Sequence, residues 1–332
     1  MRAMVLRRQK PVERRPLACV ERETPEPGPG ELLLRVRYCG ICRTDLHLVE
    51  GDMPLRRRPI VPGHQAVGVI EEMGRGVTGC KRGQRVGVPW IAGSCGACMH
   101  CRQGRENLCE RLAFHGWSRD GGFASHMTVR ADCAFPLPRL PDEHVAPLLC
   151  AGVVGYRALR RARIERGSTV ALWGFGSSAH IGIQILRHWD CKVQVFTRSR
   201  AHQGHARALG ASWVGSPKAR APSLSESAVI YAPVGELVPR ALRNLAPGGT
   251  LALADIHMTP LPTMEYALLW KEKTVTSVAN STRDDVRELL RLAARIPLRS
   301  EVTLFPLEKA NEALLAVKRS RLRGSAVLVN EA

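Results

Sequence analysis

The chain is poor in aromatic residues: Phe, Trp and Tyr make up 5% of its 332 residues. That leaves little surface for stacking on nucleobases. Lysine is scarce too, at eight of the 49 basic residues, so arginine carries most of the formal net charge of +19. Such charge suggests a polyanion partner. The basic residues are scattered, however, and the short clusters Arg56-Arg57-Arg58 and Arg319 to Arg323 sit within ordinary core patterning. Nucleic-acid binding is therefore not expected as the principal function; the positive field instead suits attraction of an anionic dinucleotide. No stretch approaches the roughly 20 apolar residues of a membrane span, so no membrane partner is expected. The N-terminus, Met1-Arg2-Ala3-Met4-Val5, lacks the long apolar run and small-residue cleavage site of a signal peptide. Internal repeats and low-complexity segments are absent. Eleven cysteines, an odd number, then point to a reduced cytoplasm, where clustered thiols bind metal.

What is present is enough sequence for about two domains, with an apolar fraction of 45% that permits a real core. The first ~150 residues are rich in Gly and Pro, with short β-like runs at Glu31 to Arg37, Ala66 to Met73, Arg85 to Val88 and Ala124 to Val129. The texture changes after Cys150. A helical stretch, Tyr156 to Ile164, leads into the buried strand Ser168 to Trp173, a glycine turn and the apolar helix Ser178 to Trp189. Strand Lys192 to Phe196, helix Arg200 to Leu209 and the strand candidates Ala228 to Ala232, Thr250 to Ala254 and Thr274 to Val278 follow; Pro247-Gly248-Gly249 reads as a sharp turn. Alternation of strands with helices implies an α/β unit, a parallel sheet covered on both faces. The tail holds helix Asp284 to Arg295, strand Val302 to Phe305, helix Leu307 to Lys318 and strand Ser325 to Val329.

Cys95, Cys98, Cys101 and Cys109 stand in the spacing C-x2-C-x2-C-x7-C. Four thiolates in one loop suit a closed tetrahedral Zn²⁺ site. A looser set, Cys42, His64 and Cys150, offers three ligands and an open position. The pairing suggests structural zinc plus catalytic zinc, two ions per chain. The remaining cysteines, Cys19, Cys39, Cys80, Cys133 and Cys191, fall in no such pattern and read as structural.

Gly174-Phe175-Gly176-Ser177-Ser178-Ala179 follows a strand and opens a helix, as a dinucleotide fingerprint must. Gly174 makes the tight turn, Gly176 lets backbone approach the pyrophosphate, and Ala179 packs helix on strand. The end of the next strand, Val195 to Arg200, carries no Asp or Glu to hold ribose hydroxyls. It offers Thr197, Arg198 and Arg200, and a guanidinium suits a 2′-phosphate. NADP(H) is therefore preferred over NAD(H), although Thr197 beside solvated arginines would merely remove selectivity.

Gly40-Ile41-Cys42-Arg43-Thr44-Asp45-Leu46-His47, with Pro62-Gly63-His64-Gln65 and Leu149-Cys150-Ala151-Gly152, resembles the zinc-containing alcohol dehydrogenases of the medium-chain dehydrogenase/reductase superfamily. The resemblance runs over essentially the whole chain. It implies a GroES-like, mostly β catalytic domain, residues 1–150 completed by 286–332, holding both zincs. A Rossmann domain, residues 151–285, would bind the nicotinamide dinucleotide. It implies Cys42, His64 and Cys150 as catalytic-zinc ligands and the four-cysteine lobe as the structural site. Thr44 and His47 would carry the alcohol proton towards water, and Asp45 would orient His64. Arg43 and Arg283 would meet cofactor phosphate. Homo-oligomers, dimers or tetramers, are implied, with Thr274 to Val278 as the candidate sheet edge.

Two positions depart from the family. Gln65 replaces the usual acid after the zinc histidine, which puts ligand exchange in doubt. Val154 replaces a Thr near the nicotinamide and removes a hydroxyl contact. Trp90, Phe114 and Trp117 flank the zinc loops; as pocket walls they would favour medium-chain or aromatic alcohols and aldehydes over polyols, though such residues are as often plain core. The expected activity is zinc-dependent interconversion of alcohols with aldehydes or ketones. The rivals are an NADPH-dependent aldehyde or enal reductase similar to cinnamyl alcohol dehydrogenases and, more remotely, a basic zinc protein on nucleic acid.

Overall fold

The computed structural model describes residues 1–296, 298–319, 322 and 324–330, so the Arg319 to Arg323 cluster lies partly outside the described residues. The chain forms two units, Met1–Cys150 with Thr282–Ala332, and Ala151–Ser281. The second boundary falls at 281/282 rather than 285/286 because the helix that begins at Arg283 packs with the first unit.

The first unit is mostly β. Its N-terminus is an antiparallel pair, β1 (Arg2–Leu6) and β2 (Leu17–Glu21). Its main sheet is built on β3 (Glu31–Ile41), β4 (Ala66–Met73), β5 (Arg85–Val88), β8 (His126–Arg130), β9 (Phe135–Pro136), β16 (Val302–Pro306) and β17 (Ser325–Val329), in the order β16-β17-β3-β4-β5-β9 with β8 also on β3. Leu32, Leu33 and Leu34 of β3 are all buried, and the strand then alternates, with Val36 buried between exposed Arg35 and Arg37. The C-terminal β17 pairs antiparallel with β3 over Tyr38 to Ile41, so the tail completes this sheet. A short hairpin of β6 (Ile91–Gly93) and β7 (Ala113–Phe114) flanks the cysteine lobe. The helices are α1 (Arg43–Glu50), α2 (Met99–Arg102), α3 (Asp142–Val145), α8 (Arg283–Arg295) and α9 (Ala310–Lys318).

The second unit is a six-stranded, all-parallel sheet: β10 (Thr169–Trp173), β11 (Lys192–Phe196), β12 (Trp213–Gly215), β13 (Ser225–Ile230), β14 (Leu245–Leu253) and β15 (Thr274–Ser277). The helices are α4 (Ala151–Arg161), α5 (Ser177–His188), α6 (Arg200–Ala208) and α7 (Leu237–Arg243). The strand order β12-β11-β10-β13-β14-β15 reverses direction at β10, which is the doubly wound dinucleotide-binding arrangement. Val170, Ala171, Leu172 and Trp173 are all fully buried, as a central parallel strand requires. The Trp173 ring lies flat on Phe196 at 3.8 Å, locking β10 to β11. Pro247-Gly248-Gly249 lies inside β14, not at a turn between elements. There Gly248 takes φ +73° and the pairing with β13 slips between Ser225 and Ser227, an irregularity the strand absorbs. No helix among the described residues is long and apolar enough to cross a membrane.

Candidate active site and cofactor turn

The site in the first unit starts at an unusual helix cap. Cys42 is the N-cap of α1: its Sγ accepts from the Thr44 N–H at 3.3 Å, and Asp45 Oδ2 accepts from the Cys42 N–H at 2.9 Å. This is a capping box with a thiol in place of the usual hydroxyl, which is why the sequence pattern did not announce α1. The cap fixes Cys42 and Asp45 on one turn. The other oxygen of Asp45, Oδ1, faces His64 Nδ1 at 3.0 Å, so Nε2 of His64 is the atom left to bind.

His64 is presented by a clamped loop. Gly121, Gly122 and Phe123 donate backbone N–H groups to the carbonyls of Val61, Gly63 and Pro62, and Asp120 Oδ1 accepts from the Val61 N–H. The approach is so close that a Cβ on Gly121 would lie 2.0 Å from the Gly63 carbonyl oxygen. Cys150 arrives from the third direction. It follows the turn Ala146–Leu149, whose preceding helix α3 is anchored through Asp142 to Arg85 (2.9 Å) and Arg37 (3.1 Å).

These three approaches converge. Cys42 Sγ lies 3.3 Å from His64 Nε2 and 3.9 Å from Cys150 Sγ, and one ligand atom of each residue lies within 4.8 Å of the others. Zn–S bonds of about 2.3 Å and Zn–N bonds of about 2.0 Å give tetrahedral edges of about 3.8 and 3.5 Å, so the donor set fits that ion. Burial alone pulls His64 down, but the carboxylate of Asp45 and the thiolate of Cys42 outweigh it and hold the proton-bearing form up to about 10 in the metal-free site. The Cys42 thiol is held well below its ordinary value, first by the Cys150 thiol and against the pull of burial. A thiolate and a proton-loving imidazole side by side are what a divalent cation displaces protons from.

Cys95, Cys98, Cys101 and Cys109 also converge, with all four Sγ atoms within 4.8 Å and Cys95 3.8 Å from Cys101. Gly96 and Gly104, both at positive φ, turn the loop around them.

Thr44 and His47 sit three residues apart on α1 and so share a face; His47 Nδ1 meets Asp52 Oδ2 at 2.7 Å. Arg43 is exposed. Gln65 is buried, and its side-chain Nε2 has no hydrogen-bond partner among the described residues. Its Oε1 would lie 2.8 Å from a Cβ at position 40, so a side chain there would push the Gln65 amide aside. Trp90, Phe114 and Trp117 form one aromatic cluster, and Trp90 is 5.6 Å from His64, ring centre to ring centre. Arg283 Nη2 bonds Asp132 Oδ2 at 2.9 Å and its Nη1 lies 3.7 Å from Glu106, so it sits between two carboxylates of the first unit.

In the second unit Gly174 takes φ +90°, Gly176 is the N-cap of α5, and Ala179 is fully buried. Ser177 and Ser178 open α5 at the glycine turn, a helix N-terminus of the kind that suits an anion. Thr197 is buried at the end of β11, with its carbonyl tied to Gln203 Nε2 at 2.9 Å. Arg198 and Arg200 are exposed and have no carboxylate partner among the described residues.

His180, inside α5, was not singled out by any motif. It is buried, its Nδ1 faces the Gly176 carbonyl at 3.4 Å, and burial first and His205 second push it down to about 4. The unfolded chain, near 6.5, therefore takes up the proton first as pH falls. Stability from this group is complete above about pH 6.5 and drains away down to pH 4. Between pH 7 and 5 the loss is about 2 kcal/mol; urea midpoints of wild type and His180→Gln at both pH values should show the variant losing that much less.

Residues 28–139 match the alcohol dehydrogenase GroES-like domain. The chain is 40% identical to a probable alcohol dehydrogenase, AdhA, of Mycobacterium tuberculosis, covering 99% of this chain and 97% of the relative. It is 34% identical to an alcohol dehydrogenase of Geobacillus stearothermophilus over 95% of this chain and 96% of that one. The cobalt- and zinc-bound thermostable alcohol dehydrogenase of Pyrobaculum aerophilum superposes with a TM-score of 0.90 at 27% identity, covering 99% of each chain. The chain belongs to the zinc-type alcohol dehydrogenases of the medium-chain dehydrogenase/reductase superfamily, and is an oxidoreductase.

Proposed function

We propose that the protein interconverts alcohols with aldehydes or ketones, using zinc and NADP(H) in preference to NAD(H). The observation that carries this reading is the convergence of Cys42, His64 and Cys150 on one point, with His64 oriented by Asp45. Zinc held there supplies Lewis acidity to the substrate oxygen, and the nicotinamide supplies or takes the hydride. The chain does the rest. Cys42, His64 and Cys150 would hold the ion with three ligands, which would leave room for a substrate oxygen. Thr44 receives the hydroxyl proton, and His47, held by Asp52, passes it towards solvent. The four-cysteine lobe takes the second zinc, as structure.

Arg198 and Arg200, exposed just after β11 and with no acid paired to them among the described residues, support 2′-phosphate recognition. Steady-state rates with paired alcohols and aldehydes and both cofactors test the whole reading. NAD(H) giving the higher kcat/KM would end the cofactor preference. Arg198→Ala should weaken NADPH by roughly tenfold while leaving NADH nearly unchanged, since one charge-assisted hydrogen-bond partner is lost. Equal losses would show the arginine to be ordinary surface.

A homo-oligomer joined through β15 is supported by its place at the sheet edge and by exposed Leu261, Tyr266 and Trp270 in the segment before it. A reducing compartment fits the free thiols, of which four and three gather in metal-spaced clusters.

A further inference from the structure

Arg56 is the one member of its basic triplet that lies on the aromatic cluster. Its guanidinium carbon is 4.0 Å from the Trp117 ring centre and 5.6 Å from that of Phe114. Arg57, by contrast, faces Asp120 at 3.7 Å. Stacking uses the flat face of a guanidinium and leaves its N–H edge free. One N–H of that edge reaches the Leu112 carbonyl at 3.3 Å, and no carboxylate pairs with Arg56 among the described residues. Trp117 is itself fixed, its Nε1 donating to the Pro54 carbonyl at 2.8 Å. From Trp117 the rings continue towards the metal ligands: Trp90 is 6.0 Å away, and His64 is 5.6 Å beyond it. A row of packed rings, buried at Trp90 and Phe114 and partly exposed at Trp117, thus runs from the His64 imidazole to a cation with no carboxylate partner among the described residues.

We infer that Arg56 selects, for the activity proposed above, aldehydes and alcohols whose far end carries a carboxylate. The reacting end sits at the cysteine–histidine cluster, the carbon chain or ring lies along Trp90 and Trp117, and the carboxylate takes the edge of the guanidinium. A fork-shaped donor matches a carboxylate in a way an ammonium does not.

The test compares nonanal with azelaic semialdehyde, which differ only in the terminal carboxylate, on wild type, Arg56→Leu and Arg56→Lys. Leucine keeps an apolar cover on Trp117, so a purely structural role survives that change. Wild type should favour the semialdehyde in kcat/KM, mainly through KM, by roughly five- to tenfold, the scale of one partly exposed charge-assisted contact. Arg56→Leu should abolish the preference without altering nonanal, Arg56→Lys should restore part of it, and high salt should erode it. Equal effects on both aldehydes would overturn the inference. Calorimetric titration of the zinc-loaded protein with nonanamide and azelaic acid monoamide reads the same preference without turnover. Absence of any aldehyde reduction would count against the proposed activity, whereas equal affinity of wild type and Arg56→Leu for the monoamide would count against Arg56.

Discussion

Replacing Cys150 by serine is expected to leave a folded protein that binds one zinc instead of two and has lost about a thousandfold or more of its alcohol oxidation. Changing a residue that merely orients a metal ligand costs about 10–100-fold; removing a ligand should cost more. Cys150 is buried, 3.9 Å from Cys42, with no cysteine of the four-cysteine lobe in its cluster. Serine keeps the volume but holds its proton at neutral pH, so the site loses a thiolate and a charge. Metal analysis after dialysis against a weak chelator, together with circular dichroism, checks both halves. Two retained zincs with full activity would remove Cys150 from the site. Loss of both zincs would mean that the two clusters are not independent.

The second large effect is expected from Gly63→Ala, one residue before His64. Gly63 takes φ +98°, a region that costs an L residue about 1–2 kcal/mol. The added Cβ would also lie 2.4 Å from Cδ1 of Phe123 and 2.7 Å from its backbone nitrogen, and that nitrogen belongs to the clamp. Overpacking of this kind costs about 1–3 kcal/mol, so the total should be about 2–5 kcal/mol in urea unfolding. The backbone must also move, and His64 moves with it, so zinc affinity at the Cys42 site should fall while the four-cysteine lobe keeps its ion. A variant with wild-type stability and two zincs would show the clamp to be slack. Asp120-Gly121-Gly122 carries the sequence signal for this device, since adjacent glycines mark close backbone approach.

Much of the second unit was open to a reader of the sequence. β10 runs into the apolar stretch Val170 to Trp173, β11 carries Val193, Val195 and Phe196, and Gly174-Phe175-Gly176 stands where a strand meets a helix, so local pattern and global fold coincide there. The cysteine lobe was equally legible, because its four ligands are local. The start of α1 was not, because its cap is a thiol whose neighbours look like loop. The pairing of Arg283 with Asp132 and Glu106 was not legible either, because both acids are distant in sequence.

Residue types, local spacing and turn chemistry determined which groups this chain carries: two sets of side chains that could hold a metal, a glycine-rich turn and arginines, with no acid, after the second strand of the parallel sheet. Only the tertiary structure decided that Cys42, His64 and Cys150, up to 108 positions apart, meet at one point, that Arg283 sits between two carboxylates, and that Arg56 lies on Trp117. Local signals arise from backbone sterics and hydrogen bonds between near neighbours. A charge's partner and a ligand's neighbours are set by which distant segments the core brings together, and no window along the chain contains both.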